Sequence, residues 1–278
     1  MKKMLPIIDI HELLNIYKQP NMLIFDVSNS NDAKDNYDKK HLDGAVFVDL
    51  NTQLAAIKSD VSDGGRHPLP TVEYFAETLQ NLGISSDSHI VIYDDKNGAN
   101  AAARFWWMLK SAGHQKVQVL NGGFQQAEKA GFPVNDKIPT AKIVGKYKTE
   151  SWKLPLAVIS DVVQNSQNED FTVIDVREAA RYQGDYEPID LVAGHIPGAI
   201  NIPFTTNLDE NGLFLPADIL KEKYAPFFKS KLPENIIVHC GSGVTACHTL
   251  LAIDYAGLPI PKLYVGSWSE WSRNFDNQ

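Results

Sequence analysis

The sequence predicts an α/β fold built twice: two similar domains, each a mainly parallel sheet flanked by helices. Three observations carry this expectation. Four segments recur in the same order in the two halves of the chain. Short β-branched apolar runs alternate with stretches of helical spacing, the pattern of βαβ units. The length of 278 residues exceeds one typical core and suits two.

The repeat comes first. "LIFDVSNS" from Leu23 resembles "TVIDVREA" from Thr172, and "HLDGAVFVDL" from His41 resembles "HIPGAINIPF" from His195. "HIVIYDD" from His89 matches "NIIVHCG" from Asn235, and "SAGHQKVQVLNGG" from Ser111 matches "YAGLPIPKLYVGS" from Tyr255. Gly113 to Gly122 and Gly257 to Gly266 both span nine positions. One such match means little, whereas four in order mark a duplicated domain.

In the second half, "FTVIDV", "GAINIPF", "IIVH" and "KLYV" read as strands, the first buried on both faces. "PADILKEKYAPFF" and "GVTACHTLLAIDYAG" carry helical spacing, and Gly257 is placed to stop the second helix. In the first half "VEYFAETLQNLG" and "AAARFWWMLKSAG" read as helices. Phe105, Trp106 and Trp107 on the latter are expected in the core or a domain interface. From Pro139 to Ser160 no periodicity stands out, and the stretch reads as a linker. The expected limits are 1–142 for the first domain, 143–155 for the linker and 156–278 for the second.

Hydrophobic residues make up 44% and charged residues 22%, and the formal net charge is −8. No run of Lys and Arg offers a surface for tracking phosphates, so nucleic acid is not an expected partner. No apolar run approaches the roughly 20 residues that span a bilayer, so no membrane partner is expected, and "MKKMLPIIDIHELL" makes a poor signal peptide. Two cysteines do not build a disulfide framework and suit a reducing cytoplasm. No His, Cys and carboxylate cluster has metal-ligand spacing, and no glycine-rich nucleotide loop follows the first strand, so no metal or cofactor is expected.

The stretch "IIVHCGSGVTACHTL" sets one cysteine, Cys240, at the carboxyl end of a strand, where ligands of open α/β sheets bind. Gly241, Ser242 and Gly243 allow a tight curl, because glycine accepts positive φ. A helix begins within a few residues. Several amide N–H groups and the helix N-terminus would then face the sulfur and favour its anion. This is the environment of a nucleophilic thiolate. Cys247, two turns into the helix beside Leu250 and Leu251, reads as packing. Two chemistries remain open for Cys240. A Cys phosphatase needs an Arg six residues on, and here that residue is Ala246. The other chemistry accepts a sulfur atom and carries it as a persulfide.

At these residues the chain resembles the tandem-rhodanese sulfurtransferases, in its "CGSGVT" loop, its "HIPGAINIPF" segment, its "GSWSEW" ending and its "GGRHPLP" loop. The resemblance covers nearly the whole chain. It implies that only the C-terminal half carries the catalytic Cys. Asp94 sits where Cys240 sits, and an Asp cannot carry sulfane sulfur, so the first half is expected to be a noncatalytic structural partner. The implied persulfide loop is Gly241, Ser242, Gly243, Val244 and Thr245, with Thr245 capping the helix. Arg181 in "REAARYQG" matches the family arginine that binds the donor's anionic group, and its fork suits a carboxylate. Arg177 is expected to brace the fold, Ser242 to assist proton transfer and His67 to face the site from the first half. Arg66 would add positive charge. His195 and His41 are expected to brace a turn in each half, and Trp268 and Trp271 to pack.

The uncharged "CGSGVT" loop resembles that of 3-mercaptopyruvate sulfurtransferases, with thiosulfate as the alternative donor. A Cys phosphatase or arsenate reductase and a sulfur carrier without turnover are the other readings. Two departures stand out. Ile189 occupies the position of a second family arginine, and Asn51 that of an Asp completing a Ser–His–Asp relay. The implied partners are a small-molecule sulfur donor and a thiol acceptor such as thioredoxin or a small thiol.

Overall fold

The computed structural model describes residues 4–140 and 145–275. Residues 143 and 144 of the expected linker, residue 142 at the expected limit of the first domain, and the first three residues of the N-terminal stretch lie outside the described residues. The chain divides into two compact units. The first comprises Met1–Leu54, Pro70–Lys153 and Glu210–Leu213; the second comprises Ala55–Leu69, Leu154–Asp209 and Phe214–Gln278.

In the first unit, β1 (Ile7–Ile8), β2 (Met22–Asp26), β3 (Ala45–Phe47), β4 (His89–Tyr93) and β5 (Val117–Leu120) form a parallel sheet of order β1-β5-β4-β2-β3. The central strands bury both faces, as their unbroken apolar runs require, and Ile90, Val91 and Ile92 of β4 are fully buried. The helices α1 (Val72–Asn81) and α2 (Ala101–Ser111) form where their spacing places them. Thr71 caps α1 by accepting from the Tyr74 amide at 3.2 Å. Phe105, Trp106 and Trp107 are fully buried on α2, as core residues.

The second unit repeats the plan. Here β6 (Leu156–Ala157), β7 (Thr172–Asp175), β8 (Ile200–Asn201), β9 (Ile236–His239) and β10 (Lys262–Tyr264) give the order β6-β10-β9-β7-β8, again parallel throughout. Each strand occupies the place of its counterpart in the first sheet. The edge strand β6 falls inside the stretch that reads as linker; two residues are too few to show a period. Its helices include α3 (Ala179–Gln183), α4 (Ala217–Ser230), α5 (Ala246–Tyr255) and α6 (Ser267–Asn274). Gly257, at φ +74°, stops α5 in the left-handed region.

β9 matters most for the site. Ile236, Ile237 and Val238 are fully buried between β7 and β10. Burial of side chains of this size is worth about 1.5–3 kcal/mol each. That anchorage fixes where the next residue, Cys240, emerges.

Candidate active site

Cys240 follows β9 directly, is buried and is a free thiol. The loop from Gly241 to Thr245 then turns into α5. Gly243 makes the turn at φ +72°, and a Cβ there would lie 2.5 Å from the Val265 carbonyl oxygen, so no other residue fits without a shift. Most carbonyls of the loop are engaged. That of Cys240 accepts from the Trp268 amide at 3.0 Å and that of Gly241 from the Ser269 amide at 2.9 Å. Those of Val244 and Thr245 accept from Cys247 at 3.1 Å and His248 at 3.0 Å. Among the described residues, the amides of Gly241, Ser242, Val244 and Thr245 meet no acceptor in the chain. Buried amides seldom go unpaired, and consecutive ones at a helix start form a concave anion site.

The start of α6 holds this loop. The Cys240 amide donates to Ser267 Oγ at 3.2 Å, and that hydroxyl donates to the Tyr264 carbonyl at 2.9 Å. Ser267 adopts φ +54° to do so, which is uncommon for a residue with a Cβ. The same helix fixes the "GGRHPLP" loop. The Gly64 amide donates to Glu270 Oε1 at 2.9 Å and the Arg66 amide to Ser269 Oγ at 3.1 Å. Arg66 and His67 lie in the first half of the sequence, yet in space they belong to the second unit.

The loop held in this way brings the expected residues together. His67 Nδ1 lies 2.9 Å from Ser242 Oγ. A Cβ built on Gly241 would lie 3.2 Å from Nη2 of Arg66 and 3.5 and 3.6 Å from the two Nη atoms of Arg181. Two guanidiniums therefore meet over the residue next to Cys240. Arg181 is held on α3 by Glu187, whose oxygens accept from its Nη2 at 2.7 and 3.0 Å and from its Nε at 3.1 Å. Burial pushes the Glu187 carboxyl up, but the Arg181 hydrogen bonds and the amides of Asp190 and Ile189 outweigh it and hold the group below its usual range. Arg66 pairs with Asp190, which also accepts from Arg273 Nη1 at 3.1 Å.

The bracing residues behave as the sequence implies. Arg177 is buried against Asp175, Glu187 and the Gly194 carbonyl, with its guanidinium 4.9 Å over the Trp268 ring. His41 stacks on Tyr37 and His195 on Tyr182, each with centroids 4.0 Å apart and Nδ1 at the tyrosine's own carbonyl. Trp268 and Trp271 join the core cluster of the second unit. The Cys247 thiol is buried and points to the Gly243 carbonyl at 3.4 Å. One expectation fails. Thr245 makes no side-chain cap bond, because it already has helical dihedrals (φ −67°, ψ −23°) and its hydroxyl cannot fold back over the first turn. Ala246 is fully buried, so no guanidinium reaches the loop from that position. The sequence reading also missed the partners that hold the site: Asp190, Glu187, Ser267, Ser269, Glu270 and Arg273. The "GSWSEW" segment was the one available signal for three of them.

The first unit contains the matching loop. Asp94 follows β4 as Cys240 follows β9, and it is fully buried. Its carboxylate accepts from the amides of Lys96, Gly98, Asn100 and Ala102 at 2.9, 2.7, 3.2 and 3.2 Å. There the ring of amides persists, filled by the chain's own anion.

Both units match the family model described as "Rhodanese-like domain", over residues 9–130 and 159–274. The chain belongs to the rhodanese family. It is 38% identical over 237 residues to a probable 3-mercaptopyruvate sulfurtransferase of Pseudomonas aeruginosa, covering 84% of this chain and 82% of that one. It is 37% identical over 241 residues to a thiosulfate sulfurtransferase of Gallus gallus, covering 86% and 81%. The solved 3-mercaptopyruvate sulfurtransferase from Leishmania major superposes with a TM-score of 0.84 at 27% identity, covering 98% of this chain and 75% of that one. Among the described residues of this rhodanese, no helix is long and apolar enough to cross a membrane and no group of three His, Cys, Asp or Glu is placed to hold a metal ion.

Proposed function

We propose that this rhodanese is a sulfurtransferase that moves sulfane sulfur from 3-mercaptopyruvate to a thiol or cyanide through a persulfide on Cys240. The Cys240 thiolate attacks the donor sulfur. The donor's carbon–sulfur bond breaks, and its electron pair leaves on the carbon as the enolate of pyruvate, which takes up a proton. The outer sulfur of the persulfide then passes to the acceptor, in ping-pong fashion. The unpaired loop amides hold the negative charge in both half-reactions. Arg181, with Arg66 beside it, binds the donor carboxylate, and Ser242 with His67 carries the proton. The single observation that carries this reading is the convergence of the Arg66 and Arg181 guanidiniums over Gly241, next to a thiol set in a ring of open amides.

The catalytic residues of this reading, Arg66, His67, Arg181, Cys240 and Ser242, all fall in the unit made of Ala55–Leu69, Leu154–Asp209 and Phe214–Gln278, and the other unit is the noncatalytic partner; the limits 1–142 and 156–278 expected from the sequence miss the exchange of Ala55–Leu69 and of Glu210–Leu213 between the units. A reducing cytoplasm suits two free thiols, and thioredoxin or a small thiol is a fitting acceptor. Thiosulfate is the second donor, since two guanidiniums also suit a dianion. The test compares kcat/KM for the two donors with cyanide as acceptor. The expected result is a preference for 3-mercaptopyruvate and no turnover in Cys240→Ser. A clear preference for thiosulfate overturns the donor assignment, and turnover by the Ser variant overturns the mechanism.

A further inference from the structure

We propose that Asp190 is a positioning residue that sets donor selectivity: its carboxylate holds the charge above the Cys240 loop at the level that fits a monoanion. The inference rests on the sulfurtransferase reading above. Around Gly241 stand the guanidiniums of Arg66 and Arg181, and behind them that of Arg273. Against these stand two carboxylates, Glu187 and Asp190. Arg177 also touches Glu187 but is matched by Asp175. Three cations and two anions leave one positive charge. A donor with one carboxylate and a neutral thiol brings one negative charge, and thiosulfate brings two.

Accessibility separates the two signs. The side chains of Arg66 and Arg181 remain 21% and 14% exposed, whereas that of Asp190 is 0% exposed. A donor therefore reaches the guanidiniums directly and meets Asp190 only as a field through them. That field is not fully spent within the protein. Asp190 Oδ1 takes the bonds from Arg66 and Arg273. Among the described residues, the buried Asp190 Oδ2 meets no hydrogen-bond donor, and Arg181 Nη2 stands 3.6 Å away. A carboxylate oxygen buried in this way keeps a strong repulsion for anions, and a dianion feels about twice the repulsion of a monoanion. Arg66 is the second cation beside Gly241, and Asp190 holds Arg66 and restrains its charge at once.

The test uses the full chain and reads kcat/KM for both donors in wild type, Asp190→Asn and Asp190→Glu, with persulfide loading followed by intact mass. Asparagine keeps an acceptor for Arg66 and removes the charge. The expected result is that Asp190→Asn raises the kcat/KM ratio of thiosulfate to 3-mercaptopyruvate by about tenfold or more. Raised salt should shrink the change, and Asp190→Glu should stay near the wild-type ratio. A merely structural role would lower both donors together and leave the ratio unmoved; that outcome, in a wild type that loads sulfur, overturns this inference alone. A wild type that loads sulfur from neither donor overturns the sulfurtransferase reading and this inference with it.

Discussion

Arg181 presents a planar fork to two carboxyl groups at different times: Glu187 in the free protein and, in our reading, the donor in the complex. Replacing it with Lys keeps the charge and loses the fork. Arg181→Lys is expected to raise KM for 3-mercaptopyruvate about tenfold, roughly 1.4 kcal/mol, with a smaller change in kcat. An unchanged KM in steady-state assays would remove Arg181 from donor binding. Of the side chains that the structure gathers around the candidate site, those in contiguous motifs were legible in the sequence: Cys240, Ser242, Arg181 and the Arg66–His67 pair. Glu187 and Asp190 were not. Each reads as an ordinary surface acid, and Arg66 pairs with Asp190 across 124 positions of sequence. Only folding makes that neighbour.

At the scale of elements, the two strand-to-helix loops after β4 and β9 are one design with two occupants. In the second unit the amides have no acceptor among the described residues and, in our reading, hold a sulfur anion; in the first the Asp94 carboxylate fills them. Asp94→Ala would strip four amides of their acceptor in a fully buried place. The expected loss is about 3 kcal/mol or more, given the cost of leaving buried donors unpaired. Formate, a free carboxylate, should raise the melting temperature of the variant and not of the wild type. A variant as stable as wild type without formate would show that the ring of amides is not held together by the anion. The main strands and helices were legible because their apolar runs and helical spacing are long enough to show a period. The helix α6 was not: it begins at Ser267 with φ +54° and closes on the Cys240 and Gly241 carbonyls, so its start is set by the loop it clamps. Thr245 misled for the opposite reason, since its residue type suits a cap but its backbone is already helical.

At the scale of the whole molecule, the duplicated plan was legible from the ordered repeat, and both sheets bear it out strand for strand. The sequence could not tell that Ala55–Leu69 groups with the second unit. Stability against acid also belongs to this scale. His248 on α5 is fully buried against Phe214, and burial lowers it from 6.5 to about 3. It stays neutral in the fold while the unfolded chain takes up a proton below pH 6.5. The stability it supports is complete above that pH and is lost as pH falls towards 3, by about 2 kcal/mol at pH 5. Denaturant unfolding at pH 7.5 and pH 5 should show His248→Gln losing about 2 kcal/mol less than the wild type over that interval. An equal loss in the variant would place the acid sensitivity elsewhere.

Sulfur transfer as proposed depends on a persulfide at Cys240, and intact mass reads that persulfide directly. After incubation with 3-mercaptopyruvate and no acceptor, the wild-type protein should gain the mass of one sulfur atom, lose it on addition of a thiol, and show neither change as Cys240→Ser. A wild-type chain that gains nothing, or a gain that survives in the serine variant, would contradict it.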